Sequence, residues 1–336
     1  MNILLIGPRK NIKHPEKIGG VIILFENLLE YCDEHHIKYN VIDTNKENYT
    51  NKIVSFLSIL SQSISRIQKS SHISLHGTAN DYLYIAPFVL FLSQILKKPF
   101  SIRKFAGNYI EIYESYSGLK KKIILYLLKN VSYSFFETKY LVKYFKVHNA
   151  NTFWFPNVRE KQNVFVDKKY NKKFVFIGLV TKEKGIDVLC EVSKHLDDSY
   201  TVDIFGPLSK DYSMEYFDNY NVSYKGVIEH ENIYKVLLEY DVLVLPSFRE
   251  GYPGIIIEAL SIGMPIVATN LCGISEMLTN DSGILVKVNS VESLHEAMMS
   301  ITESQYKAYS NNALLEFNYY DSSIQTAKFF NMIGVV

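Results

Sequence analysis

The chain has 336 residues, 47% hydrophobic and 21% charged, which excludes a disordered chain and, at roughly 100–200 residues per domain, suggests two domains. Cys32, Cys190 and Cys272 stand far apart, which excludes a disulfide framework and a paired-cysteine zinc site and fits a reducing compartment. Net charge is +1, yet residues 1–157 hold 20 Lys and Arg against 11 Asp and Glu, and the remainder holds 16 against 24, so the first half is suited to an anionic partner.

The opening MNILLIGPRK lacks the basic-then-apolar order of a signal peptide and reads as a buried strand. Strands are predicted at residues 2–6, 41–43, 72–75, 100–103, 132–137 and 152–155. Helical periodicity runs through residues 21–32, 52–67, 86–96, 119–130 and 139–145. The longest apolar run, Ile85 to Leu96, falls short of the roughly 18–20 residues of a membrane-spanning helix. A polar, Lys-rich stretch at residues 157–173 reads as a linker. The alternation restarts with strands at 174–177, 200–205, 242–245, 265–268 and 283–286, and helices at 186–196, 233–240, 254–262 and 291–301. Residues 321–332 open on an Asp-Ser-Ser cluster suited to an N-cap and read as a last helix. This βα alternation predicts two α/β domains with parallel sheets, and ligands beyond the carboxyl ends of their strands.

Residues 241–278, DVLVLPSFREGYPGIIIEALSIGMPIVATNLCGISEML, are the most informative. A predicted strand ends at Pro246. A loop then carries Glu250, Gly251, Tyr252 and Pro253, and Gly254 opens a helix bearing Glu258. A helix N-terminus offers free N–H groups and a positive dipole end, suited to a diphosphate. Glu250 at the helix mouth is placed to accept bonds from sugar hydroxyls. Glu258, deeper along one side, is placed to accept from a ribose diol, a device that dinucleotide-binding folds also use. By themselves the two carboxylates also read as a capping Glu and an ordinary helix Glu.

Taken in order, Glu250-Gly-Tyr-Pro, Glu258-Ala-Leu, Gly263-Met-Pro-Ile-Val-Ala-Thr and Gly273-Ile-Ser-Glu276 resemble the retaining glycosyltransferases of family 4, or glycosyl transferases group 1. The resemblance covers most of the C-terminal half and, more loosely, the N-terminal half. It implies an α/β GT-B fold, two doubly wound Rossmann-like domains facing a central cleft. Residues 1–157 with the C-terminal helix 319–336 would bind the acceptor, and residues 158–318 the nucleotide-sugar. It further implies that Glu250 holds the donor sugar, that Glu258 binds the ribose, and that Tyr252, Pro253, Gly254 and Ile255 surround the diphosphate. Lys184, after Phe174-Val-Phe-Ile-Gly178, matches a phosphate-binding lysine. Ile228, in Lys225-Gly-Val-Ile, matches a wall of the nucleotide site, and Gly273 and Glu276 match a mostly structural turn. Gly19 and Gly20 resemble a glycine-rich loop, Gly19 on the acceptor side and Gly20 toward the donor phosphate. His76 matches a histidine near the reacting sugar, grouped with Glu250 and Lys184 as catalytic. Arg103, in Arg103-Lys104-Phe-Ala-Gly107-Asn108, is expected to hold an acceptor phosphate. One position departs from the pattern: Leu179 stands where the family usually has an arginine, with Lys182 or Arg249 as candidate substitutes.

The activity expected from the resemblance is transfer of a sugar from a UDP- or GDP-sugar to a lipid-linked saccharide. Its setting would be assembly of a bacterial surface polysaccharide (O-antigen, capsule or exopolysaccharide). No metal and no other cofactor is expected. The location expected is cytoplasmic, peripheral on the inner face of the plasma membrane. Lys120, Lys121 and Lys122 cluster on an amphipathic helix, and Lys139, Lys143 and Lys146 form a second cluster. With Lys97 and Lys98 they read as contacts to anionic lipid or as a solvated surface. Nucleic acid is not an expected partner, since no aromatic–basic interleaving accompanies the near-zero net charge. No G-x-G-x-x-G follows the first strand, which argues against a dinucleotide-dependent dehydrogenase. The 250–276 motif does not favour a nucleotide-sugar epimerase. The alternative kept open, raised by Leu179, is a catalytically silent GT-B subunit that stabilises a partner glycosyltransferase.

Overall fold

The computed structural model describes residues 2–14, 19–105, 107, 109–165 and 169–335. They divide into two units, Met1–Val158 with Ser322–Val336, and Arg159–Asp321.

The first unit runs through β1 (Ile3–Gly7), α1 (Gly20–Glu34), β2 (Tyr39–Asp43), α2 (Lys52–Ile67), β3 (His72–Gly77), α3 (Ala79–Tyr84), α4 (Ala86–Ile95), β4 (Phe100–Lys104), α5 (Tyr109–Ser115), α6 (Gly118–Asn130), β5 (Tyr133–Phe136), α7 (Lys139–Phe145) and β6 (Thr152–Trp154). Its strands form one parallel sheet in the order β2-β1-β3-β4-β5-β6. β1 is apolar at nearly every position because helices cover both faces of the sheet. Leu4 and Ile6 enter a core with α2, α4 and α6, while Ile3 and Leu5 enter another with α1.

The second unit holds β7 (Lys173–Ile177), α8 (Ile186–Ser193), β8 (Thr201–Phe205), β9 (Ser223–Tyr224), α9 (Ile233–Leu237), β10 (Val242–Leu245), α10 (Gly254–Ser261), β11 (Ile266–Thr269), α11 (Cys272–Ser275), β12 (Gly283–Val286), α12 (Val291–Ser300) and α13 (Glu303–Phe317). Its parallel sheet has the order β12-β11-β10-β7-β8-β9. Chain direction across the sheet reverses between β10 and β7. The loops that leave these two neighbours are where α/β sheets hold ligands.

α14 (Ser322–Met332) returns to the first unit and packs beside α1. Phe329 stacks on Phe155 with ring centroids 5.1 Å apart, and Phe330 stacks on Tyr31 at 5.8 Å. Met332 is exposed, and Ile333 fills the core in its place.

The unit boundaries fall one and three residues beyond the predicted breaks at 157/158 and 318/319. Arg159 N donates to Tyr320 O at 3.0 Å, and Arg159 bridges Asp321, so these residues belong to the second unit. The start of the predicted linker is thus part of that unit's structure. α13 was missed because its polar sequence lacks a clear apolar period. Its signal was the capping box between Thr302 and Gln305. Among the described residues, no helix is long and apolar enough to cross a membrane.

Candidate functional site

The loop after β10 folds against the loop after β7, and Gly185 permits the approach. Its φ is +72°, and a Cβ there would fall 2.0 Å from Pro246 O. Phe248 N donates to Glu183 O at 2.8 Å, fastening the two loops. Lys184 is thereby held beside Glu250, with Nζ to Oε1 at 2.5 Å. Ser247 Oγ donates to the same oxygen at 2.9 Å. The lysine side chain keeps 28% of its exposure and the glutamate 10%, so the pair is open on one side.

α10 follows directly. Its N-cap is Pro253, which supplies no side-chain acceptor to the first turn. The positive end of the helix and its first N–H groups are suited to an anion, next to the Lys184 ammonium. Glu258, one turn in, is buried, and its Oε1 accepts from Arg159 Nε at 2.7 Å. The Arg159 guanidinium lies over the start of α10, where a Cβ at Gly254 would come 2.1 Å from Nη2. Gly254 therefore makes room for an arginine that the sequence reading passed over as linker. Burial, and then the Glu258 carboxylate, push the Tyr234 phenol up to about 12.

Tyr252 turns inward, and its hydroxyl donates to Tyr320 Oη at 3.3 Å. Its side chain is part of the unit's core, so only its backbone remains for a ligand. Pro253 and Ile255 are half-buried at the helix start, and Ile228 is half-buried on the loop after β9, at the same end of the sheet. Leu179 is exposed just after β7 and brings no charge to the site. Glu276 O accepts from Tyr320 Oη at 3.2 Å. The second unit thus gathers Lys184, Glu250, Gly254 and Glu258, and adds Arg159.

Two expectations for the first unit are corrected. His76 and Arg103 are register partners on β3 and β4, and both are fully buried. The His76 ring lies among Phe25, Phe105 and Phe329, and its Nε2 shares a hydrogen bond with Ser74 Oγ at 3.0 Å. Burial, with the nearby Arg103 charge, holds its pKa well below the usual histidine range. His76 is a neutral core histidine and does not face a reacting sugar. Arg103 Nη2 donates to Pro156 O at 2.7 Å, and its guanidinium sits 3.6 Å from the centre of the Phe155 ring. Enclosed in this way, it offers nothing to an acceptor phosphate.

In the same segment, Ala106 and Asn108 lie outside the described residues. Gly19 and Gly20 are exposed where α1 begins, with open space where a Cβ would be. Lys121 pairs with Glu114 at 2.6 Å and Lys139 lies over the Trp154 ring, so the lysine clusters are not uniform free patches.

Fold and site together define a class: a parallel α/β protein of GT-B architecture with an anion-suited helix mouth where the strand order reverses. The structure of Anabaena Alr3699/HepE in complex with UDP resembles this one with a TM-score of 0.76 at 14% identity, over 100% of both chains. Residues 157–315 match the family model described as Glycosyl transferases group 1. The putative teichuronic acid biosynthesis glycosyltransferase TuaC of Bacillus subtilis (strain 168) is 31% identical over 134 residues, 39% of this chain and 33% of the relative. The N,N'-diacetylbacillosaminyl-diphospho-undecaprenol alpha-1,3-N-acetylgalactosaminyltransferase of Campylobacter jejuni is 25% identical over 241 residues, 68% of this chain and 60% of the relative. The chain therefore spans less than two thirds of either curated relative.

Proposed function

We propose that this protein is a retaining glycosyltransferase that moves a sugar from a UDP- or GDP-sugar to a lipid-linked saccharide during assembly of a bacterial surface polysaccharide. The observation that carries the reading is the Lys184–Glu250 pair at the mouth of α10, inside the segment that matches the glycosyl transferase model. The name of the Campylobacter relative, with its diphospho-undecaprenol acceptor, supports the acceptor class.

In this reading the diphosphate lies against the first turn of α10 and the Lys184 ammonium. Charge builds on the departing nucleoside diphosphate, and a fixed cation with oriented N–H groups stabilises it without reorganising. Glu250 accepts from hydroxyls of the transferred sugar, and Glu258 accepts from the ribose beside Arg159. The acceptor oxygen bonds to the anomeric carbon on the face from which the diphosphate leaves. The acceptor proton passes to the departing phosphate oxygen. No bound metal is needed in this scheme, because Lys184 and the helix supply the positive charge.

The alternative of a catalytically silent subunit keeps one specific support, the neutral Leu179 in place of the usual arginine. One experiment decides between them. A panel of UDP- and GDP-sugars is screened by thermal shift, where a ligand at 100 times its Kd adds about 2.7 kcal/mol. The stabilising donor is then incubated with a lipid-linked disaccharide in the presence of EDTA. Transfer with retained anomeric configuration is expected. Donor binding without transfer under any metal condition would leave the silent subunit. Activity lost in EDTA and restored by manganese or magnesium would overturn the metal-free scheme.

A further inference from the structure

α2 carries apolar side chains on its outer face as well as on the face that meets the core. Ser55, Ile59, Ser63 and Ile67 are buried, whereas Ile53, Val54, Leu57 and Ile64 are 71%, 44%, 59% and 53% exposed. α4 packs beside it and repeats the pattern, with Ala86, Val89, Leu90 and Ser93 buried and Phe91 and Ile95 exposed. Ser63 Oγ and Ser93 Oγ donate to Ile59 O and Leu90 O of their own helices, at 2.7 and 2.8 Å, so these two buried hydroxyls are satisfied locally. A cavity of about 340 Å³ is lined by Ile53, Phe56, Leu57 and Tyr84, together with Lys46, Lys52 and Asp81.

Charge selects the occupant. α2, α4 and α6 belong to one layer over a shared core, and none of them contains an Asp or a Glu. α6 instead presents Lys120 and Lys122, both exposed, while Lys121 is taken up by Glu114. Exposed Ile, Leu and Phe bordered by ammonium groups match an anionic bilayer, and the one carboxylate on the cavity wall, Asp81, is buried and turned to Thr78 N and Oγ1. The apolar side chains reach the acyl boundary, and the lysines lie among the headgroups.

We propose that the outer face of α2 and α4, flanked by Lys46, Lys52, Lys120 and Lys122, docks the protein on an anionic lipid bilayer. The contact is led by α2 and α4 rather than by the lysine helix alone. It rests on the lipid-linked acceptor reading for its purpose, but its test uses neither donor nor acceptor.

The full chain is sedimented with vesicles of phosphatidylcholine, and with vesicles of equal parts phosphatidylcholine and phosphatidylglycerol. Wild type is expected on the mixed vesicles only. The variant Ile53→Gln/Leu57→Gln/Phe91→Gln is expected to lose at least about tenfold in binding, given the apolar area withdrawn from the lipid. Lys120→Gln/Lys122→Gln is expected to lose less, and the difference should vanish at high salt. All these side chains lie on the surface, so thermal melts should match wild type. Nucleoside diphosphate binding by calorimetry should be unchanged in both variants, which separates this proposal from failure of the transferase reading. Equal wild-type binding to both vesicle types, or to neither, overturns the proposal. So does an unweakened triple variant. Self-association of wild type that the triple variant abolishes, with no vesicle binding, would assign the face to a second copy of the chain instead.

Discussion

Arg159 and Glu258 form an ion pair nearly closed to solvent, with 2.7 Å between Nε and Oε1 and side-chain exposures of 11% and 5%. The pair joins the first residue of the second unit to the helix that opens at Gly254. Breaking a buried pair by removing one partner costs about 3–5 kcal/mol, because the other charge is left uncompensated. Arg159→Ala should therefore lower the urea midpoint of the second unit, and Arg159→Ala/Glu258→Gln should recover part of the loss. Glu258→Ala should in addition weaken nucleoside diphosphate binding in calorimetry. An unchanged midpoint in Arg159→Ala would show that the pair is open in solution.

Lys184 and Glu250 should separate binding from turnover. A charge-assisted hydrogen bond contributes about 1.5–3 kcal/mol, roughly tenfold to a hundredfold in rate or affinity. Glu250→Ala should lose turnover on that scale and keep nucleoside diphosphate affinity. Lys184→Ala should lose both. Steady-state kinetics with calorimetry reads the split, and equal small effects in the two variants would place the site elsewhere.

The final helix is expected to stabilise the first unit. Phe329 and Phe330 are 1% and 0% exposed in that unit's core. A buried Phe→Ala change costs about 3–5 kcal/mol. Phe329→Ala should lower the melting temperature of the first unit, and a chain ending at Tyr320 should lower it further. Limited proteolysis shows which unit opens first; early cleavage confined to the second unit would contradict the packing.

Acidification should destabilise the first unit through its buried histidines. Burial pushes His72 down from 6.5 to about 4, and its Nε2 shares a hydrogen bond with Ser101 Oγ at 3.0 Å. Between those pH values the unfolded chain binds a proton that the folded chain refuses. Stability is fully present above 6.5 and is lost as pH falls toward 4, by about 3 kcal/mol across the window. His76 acts in the same direction. Urea midpoints measured from neutral pH downward should fall, and His72→Gln should flatten the slope. An equal slope in that variant would assign the acid sensitivity to other groups.

Much of the fold was legible because its signals are local. Continuous apolar runs such as ILLIG and VLVL, separated by helical periods, specify parallel strands covered on both faces. The loop and helix from Glu250 to Glu258 were readable for the same reason, since the residues lie within two turns of one another. α13 escaped because a capping box was its main mark and its apolar period is faint.

Sequence by itself determined the alternation of strands and helices, the position of the helix mouth and the charge asymmetry of the two halves. Tertiary structure decided which side chains face what. His76 and Arg103 end their strands with polar groups, as site residues do, but α14 and Phe155 arrive from distant parts of the chain and enclose them. Glu258 receives its partner from 99 positions away, a distance over which no local period carries information. α2 is apolar around much of its circumference, so its sequence cannot say which side meets the sheet. In the fold Ser55, Ile59, Ser63 and Ile67 face inward, while Ile53, Val54, Leu57 and Ile64 stay outside. Local propensity acts over a few residues, while burial is settled only when distant segments compete for the same space.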